Sequence, residues 1–158
     1  MLIINRLIRS EILVVLLLIS SFSVSAQNTT YINNHKIFAA VLSEAYGIPS
    51  SIILAVAIVE SASGRAATAK VLNNHFGIVG KNEIVNNRGH KSRYKQYQNE
   101  LFSYIDFCRT ISHKRFYNNL KDKEDAKAWA KAISKAGYAE DPEIWEKRIL
   151  GAIYSNGL

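Results

Sequence analysis

The stretch that decides the fold is an apolar run closed by a single acid, Ile52-Ile53-Leu54-Ala55-Val56-Ala57-Ile58-Val59-Glu60. Eight uncharged residues precede Glu60, and a carboxylate among apolar neighbours is costly to ionise. Such surroundings favour the protonated acid at neutral pH, which is the form that donates a proton in general acid catalysis. We therefore treat Glu60 as a candidate general acid.

The same run predicts a buried core helix, because it is apolar on every face. Pro49 suits the first turn of a helix, and Gly64 is the first residue after the run that favours a left-handed C-cap. Glu60 then lies in the last turn, where the negative end of the helix dipole also disfavours its charged form. The alternative is that Glu60 marks only the point where the helix reaches the surface, with Arg65 as its ion-pair partner.

The first 26 of the 158 residues have the pattern of a signal peptide. Arg6 and Arg9 give a positive start, the apolar segment 12–19 is too short to span a bilayer, and Val24-Ser25-Ala26 is a small-residue cleavage site. We therefore expect an exported protein, in the periplasm or in the extracellular cell wall, with residues 27–158 forming one domain. No stable membrane insertion is expected after cleavage; an uncleaved anchor is the alternative.

Charge and cysteine content exclude several classes of protein. The net charge of +7 suggests an anionic partner such as a cell-wall polymer, a membrane surface or a nucleic acid. The basic residues do not cluster on one face, and together with the export signal this argues against a nucleic-acid binder. Cys108 is the only cysteine and the four histidines show no ligand spacing, so neither a disulfide framework nor a metal site is predicted.

The rest of the chain predicts a mainly α (α+β) domain. Helical spacing of apolar residues, with capping residues at the starts, predicts helices over 33–46, 66–72, 99–108, 122–136 and 141–154. The helical spacing of apolar residues stops between residues 76 and 97. Within this segment, Asn87 to Gly89 predicts a hairpin turn between strands at 76–79 and 93–97. The expected architecture is a helical domain with a small β-hairpin lobe.

Four blocks of the chain carry motifs in a distinctive order. They are Tyr46-Gly47-Ile48-Pro49-Ser50-Ser51-Ile52-Ile53-Leu54-Ala55, Val59-Glu60-Ser61-Ala62-Ser63-Gly64, Asn73-Asn74-His75-Phe76-Gly77-Ile78 and Lys135-Ala136-Gly137-Tyr138-Ala139-Glu140-Asp141-Pro142. The last three have the forms Glu-Ser-x-x-Gly, Asn-Asn-x-Phe-Gly-Ile and Ala-Gly-Tyr-Ala-x-x-Pro. From about residue 31 to the end, the chain thus resembles the bacterial endo-β-N-acetylglucosaminidases of glycoside hydrolase family 73.

The resemblance implies a lysozyme-like helical fold and cleavage of the β-1,4 bond between N-acetylglucosamine and N-acetylmuramic acid in peptidoglycan. The general acid of the family maps onto Glu60, and its active-site tyrosine maps onto Tyr138. Asn74 and Phe76 fall on the loop that helps to wall the cleft, and His75 is expected beside them as a wall residue. The implied partner is the peptidoglycan glycan strand, no cofactor is required, and a monomer is expected.

The second catalytic group stays open. Glu83 is the one acid between Val79 and Tyr97, and we expect it either to act as a base that orients water or to be a solvated loop charge. In the second case the 2-acetamido group of the substrate would attack instead, which requires no protein nucleophile. Tyr97 offers a flat face for a sugar ring, or packs the hairpin.

Two other functions are compatible with the same sequence. One is a non-catalytic peptidoglycan-binding protein on the same fold, favoured because Ala62 stands where the family often has an aromatic residue. The other is a lytic transglycosylase, which uses one acid and forms an anhydro sugar instead of adding water.

Overall fold

The computed structural model describes residues 26–82 and 92–158. The predicted signal peptide apart from Ala26, the predicted hairpin turn and Glu83 lie outside the described residues. Within those two ranges, no helix is both long enough and apolar enough to cross a membrane.

The apolar run forms the central helix, α2, Ser50–Ser61. Every side chain from Ile52 to Ile58 is buried, as predicted for a helix that is apolar all round. The helix ends three residues earlier than Gly64. At its end, the Ser61 hydroxyl accepts the Gly64 N–H at 2.8 Å and donates to the Ala57 carbonyl at 2.6 Å. Ala62 takes the left-handed cap position with φ +49°.

Helices surround α2. They are α1 at 26–46, α3 Ala67–Leu72, α4 Glu100–Ser112, α5 Tyr117–Leu120, α6 Ala126–Ile133 and α7 Pro142–Asn156. Helix α2 packs against α4, α6 and α7, and α6 also packs against α7. Helix α1 includes the residues from Gln27 to Ile32 that lie before the predicted capping asparagines, so the prediction of its start was wrong.

The connection from α6 to α7 places the end of the chain against α2. The prediction that α6 begins at Asp122 was wrong. Asp125 caps the helix instead, by accepting the Ala128 N–H at 2.9 Å. A π-helical turn, Ser134–Tyr138, follows α6 and contains Gly137 at φ +79°. Asp141 then caps α7 by accepting the Ile144 N–H at 3.0 Å, with Pro142 in the first turn, as the sequence predicted.

The described part of the β-lobe contains less strand than predicted. In the described part of the chain the two expected strands are reduced to one antiparallel bridge, between Val79 and Tyr94. Side-chain amides add to the backbone hydrogen bonds between the two segments. Asn74 Nδ2 donates to the Ile78 and Lys95 carbonyls, each at 2.8 Å, and Asn82 Nδ2 donates to the Tyr94 carbonyl at 2.6 Å. The prediction of a mainly helical domain with a small lobe is confirmed.

Candidate active site

The carboxyl group of Glu60 lies where the central helix leaves the core. Glu60 is in the last turn of α2, next to Ser61, and is itself partly buried. The Trp145 indole Nε1–H, from α7, donates a hydrogen bond of 2.7 Å to Glu60 Oε1. Arg65 does not pair with Glu60 within the described residues, because its guanidinium donates to the Ala62 carbonyl and to Gln27.

Burial raises the pKa of the Glu60 carboxyl above its ordinary value. The hydrogen bond from Trp145 and the positive charge of Arg148 oppose this rise, because both stabilise the ionised form. Since Oε1 accepts the indole proton, the acidic hydrogen of the protonated group belongs on Oε2. The site therefore increases the protonated fraction of Glu60 at a given pH, and the hydrogen bond from Trp145 places the acidic hydrogen on Oε2.

A cleft of ≈ 350 Å³ opens beside Glu60. Gly77 forms part of its wall with φ +64°, and a Cβ added there would lie 3.4 Å from Glu60 Oε2. The absence of a side chain at Gly77 therefore keeps the approach to Oε2 open. The other lining residues are Thr68, Arg93, Tyr94, Tyr138, Ala139, Glu140, Asp141, Ile144, Trp145 and Arg148.

Tyr138 lines the same cleft, on the π-helical turn before α7. Its hydroxyl donates to the Phe76 carbonyl at 2.7 Å, and its ring lies 5.5 Å from the Trp145 ring, centroid to centroid. Burial first, and the nearby charge of Glu60 second, raise the pKa of Tyr138 well above its ordinary value. Tyr138 is therefore a neutral hydroxyl whose proton is engaged by Phe76 and whose oxygen can still accept a hydrogen bond.

Asn74, His75 and Phe76 lie behind the cleft wall rather than in the cleft. Asn74 is fully buried, and besides its two donated bonds its Oδ1 accepts the N–H groups of Phe76 at 3.3 Å and Ile78 at 3.1 Å. Phe76 stacks on Phe107 with a centroid distance of 4.5 Å. These residues shape the loop that carries Gly77 and Ile78 past Glu60.

His75 and Tyr97 have other partners. His75 Nδ1 lies 2.5 Å from the Tyr31 hydroxyl, and burial lowers the pKa of His75 to about 4. The Tyr97 hydroxyl donates to Asp106 Oδ2 at 2.7 Å, and Tyr97 lines a separate groove. The structure therefore brings Glu60 and Tyr138 together, whereas Tyr97 lies elsewhere.

Sequence reasoning missed the contribution of α7. Trp145 has the spacing of a core residue on that helix, and no local signal indicates that its indole reaches Glu60, which is 85 positions earlier. Arg148 follows Trp145 by one helical turn, and it also lines the cleft. A search for aromatic and basic residues one turn apart on the helix after the Ala-Gly-Tyr motif would have selected this pair.

Known proteins resemble this chain in sequence and in fold. The chain is 27% identical over 143 residues to the exo-glucosaminidase LytG of Bacillus subtilis, covering 77% of this chain and 49% of that protein. It is 25% identical over 136 residues to the peptidoglycan hydrolase FlgJ of Vibrio parahaemolyticus, covering 75% and 44% respectively. The chain thus spans about half the length of the curated relatives it matches.

The fold resembles that of the catalytic domain of the autolysin Auto from Listeria monocytogenes, with a TM-score of 0.68 and 21% identity over 83% of this chain and 85% of that one. This likeness confirms the predicted fold class. The sequence model of one family, described as mannosyl-glycoprotein endo-beta-N-acetylglucosaminidase, matches residues 36–158. Because that match covers most of the chain, the protein belongs to the glucosaminidase family, glycoside hydrolase family 73.

Proposed function

We propose that the protein is a peptidoglycan hydrolase that cleaves the β-1,4 bond between N-acetylglucosamine and N-acetylmuramic acid, with Glu60 as the general acid. One observation carries the proposal. A partly buried carboxyl group opens into a cleft, with one oxygen bonded to Trp145 and the other facing Gly77, which has no side chain. Membership of a glycoside hydrolase family and the names of the two relatives support the substrate class.

The chemistry follows from the two different oxygens of Glu60. The proton on Oε2 passes to the glycosidic oxygen as the bond to the anomeric carbon breaks, and Oε1 keeps its bond to the Trp145 indole as the carboxylate forms. Positioned proton transfer of this kind typically contributes a factor of about 10²–10⁴. Because the indole bond is stronger to a carboxylate than to a carboxyl group, Trp145 also stabilises the charge that develops on Glu60.

The positive charge that develops on the sugar requires a second group. This group is either Glu83, acting as a base toward water, or the 2-acetamido carbonyl of the substrate. In both mechanisms the Tyr138 oxygen accepts a hydrogen bond, from the acetamido N–H or from the water. Replacing Glu83 with Gln separates them, since only the two-carboxylate mechanism predicts a severe loss of rate.

Two basic residues of the cleft, Arg93 and Arg148, can contact a cell-wall substrate, although Glu140 and Asp141 also line the cleft. The groups that these arginines would meet are the carboxylates of muramyl residues and their peptides. Since peptidoglycan lies outside the cytoplasm, this function requires export, and the signal-peptide pattern of the first 26 residues would supply it. Asn74, His75 and Phe76 act in this proposal by holding the cleft wall.

The decisive experiment is to replace Glu60 with Gln and to measure reducing ends released from purified peptidoglycan. Gln keeps an oxygen that accepts the Trp145 proton but has no acidic hydrogen, so the rate should fall by roughly 10²–10⁴. Glu143→Gln is the matched control, because Glu143 is an exposed acid in the first turn of α7, and it should retain full activity. A rate for the Glu60 variant within a factor of about three of wild type would rule out Glu60 as the acid.

Mass spectrometry of the products tests the two other functions. Hydrolysis gives products with a free reducing end, whereas a lytic transglycosylase gives anhydro ends that lack one water. Binding of the protein to sacculi without any soluble product would instead identify a non-catalytic wall-binding protein.

A further inference from the structure

Three side chains that are far apart in the sequence lie close together beside the loop that follows α3. His35 comes from α1, His75 from the loop after α3, and Glu100 is the first residue of α4. Glu100 Oε2 lies 3.2 Å from His35 Nε2 and 3.5 Å from His75 Nε2. The three ligand-type atoms all lie within 4.8 Å of one another. None of the three residues lines the Glu60 cleft.

The hydrogen bonds around the two rings direct their Nε2 atoms toward Glu100. His35 Nδ1 is 2.7 Å from the Tyr31 carbonyl, which can only accept, so Nδ1 carries a hydrogen. His75 Nδ1 is 2.5 Å from the Tyr31 hydroxyl, which in turn lies 2.7 Å from the Tyr104 hydroxyl. Metal-bound histidines have this arrangement, in which the outer ring nitrogen bonds to a carbonyl or another polar group and fixes the ring.

One buried ring nitrogen at the centre of the cluster has no hydrogen-bond partner among the described residues. His35 is 4% exposed, and its Nε2 has no hydrogen-bond partner within the described residues, even though Glu100 is close. A ring nitrogen aimed at a carboxylate without a hydrogen bond between them is unfavourable when buried. A cation between the three atoms would remove this cost.

The spacing of the three atoms suits a small transition-metal ion. Zinc bonds to histidine nitrogen and carboxylate oxygen at about 2.0–2.2 Å, which in a tetrahedral site puts neighbouring ligand atoms roughly 3.3 Å apart. Two of the three edges already have nearly that length, at 3.2 and 3.5 Å. Only the distance between the two ring nitrogens, at most 4.8 Å, has to shorten.

We propose that His35, His75 and Glu100 form a zinc-binding site that joins α1, the loop and α4. The side chain of Glu100 is 43% exposed, which provides a path for the ion and room for a water as the fourth ligand. Because the site lies away from Glu60, its role is to stabilise the fold behind the cleft wall. Sequence analysis predicted no metal site, since the ligands come from three separate elements and share no local spacing.

The test is a titration of chelator-treated protein with ZnCl₂, followed by calorimetry. The wild-type chain should bind one ion tightly, and His35→Ala and Glu100→Gln should each weaken that binding by more than the roughly 10–100-fold that loss of an outer partner costs. The matched control is His113→Ala, because His113 also bonds through Nδ1 to a carbonyl four residues earlier, at 2.7 Å, but is exposed. This control should bind zinc as the wild type does.

A second measurement avoids dependence on any one variant. Co²⁺ added to the wild-type chain should give the visible absorption of a four-coordinate site, and zinc should displace it. Glu100→Gln should lack that absorption, and its partial exposure makes it the variant that keeps the fold if His35→Ala does not. Failure of the wild type to bind zinc, or equal binding by Glu100→Gln, would overturn the proposal.

Discussion

Asn74→Ala tests whether one buried amide holds the loop beside Glu60. Alanine removes all four hydrogen bonds of the side chain, two donated and two accepted. The Ile78 carbonyl keeps a second partner, the Lys95 N–H at 2.8 Å. By contrast, the Phe76 N–H, the Ile78 N–H and the Lys95 carbonyl each lose the Asn74 hydrogen bond. A buried polar group without a partner costs about 1–3 kcal/mol, so three such groups give about 3–5 kcal/mol, allowing for partial access of water to Ile78 and Lys95.

The assay is thermal and denaturant unfolding of the purified variant. At roughly 4 °C per kcal/mol for a domain of this size, the melting temperature should fall by about 12–20 °C. Asn156→Ala is the control, because within the described residues the Asn156 amide donates to the Ala152 carbonyl and the Ser155 hydroxyl alone, near the C-terminal end of α7. Its free energy of unfolding should change by less than about 0.5 kcal/mol.

A second readout separates a loop-holding role for Asn74 from direct contact with substrate. Below its melting transition, Asn74→Ala should lose less hydrolytic activity than Glu60→Gln, because the loop is displaced but the acid is intact. A melting temperature within 2 °C of the wild type, together with a large rise in KM, would refute the reasoning and identify Asn74 as a binding residue.

Three further predictions concern the acid and its neighbours. Burial raises the folded-state pKa of Glu60, so the wild type loses stability as the pH rises through that pKa. Glu60→Gln should therefore be more stable than the wild type at pH 8 but not at pH 4. Denaturant unfolding at the two pH values measures this difference. Trp145→Phe removes a hydrogen bond that lowers the pKa of Glu60, so the basic limb of the pH–rate profile should move to higher pH. Trp129→Phe is the control: it loses an indole hydrogen bond to the Lys123 carbonyl and should leave the basic limb unchanged. Gly77→Ala should lose activity because its Cβ would lie in van der Waals contact with Oε2 and cover the side from which the substrate approaches. Gly157→Ala is the control: it has nearly the same positive φ of +63° and no atom within 4 Å, and it should lose only about 1–2 kcal/mol of stability.

The sequence was sufficient where the physics is local. An all-apolar run predicted the buried helix α2, and the acid at its end predicted a carboxyl group with a raised pKa. Asp141 and Pro142 predicted the start of α7 correctly, because capping depends on residues within one turn. The expected start of α1 at Asn33 or Asn34 was wrong, because the helix already includes residues 26–32. The predicted caps at Gly64 and Asp122 were also wrong, because Ala62 and Asp125 take those cap positions instead.

By itself the sequence determined the central helix, the acid that ends it and the mainly helical fold. Only the tertiary structure decided which residues contact that acid. Trp145 meets Glu60 because α7 packs on α2, and His35, His75 and Glu100 meet because α1, the loop and α4 share one side of the core. Periodicity and capping are encoded within a few residues, whereas contacts between distant side chains depend on how the helices pack.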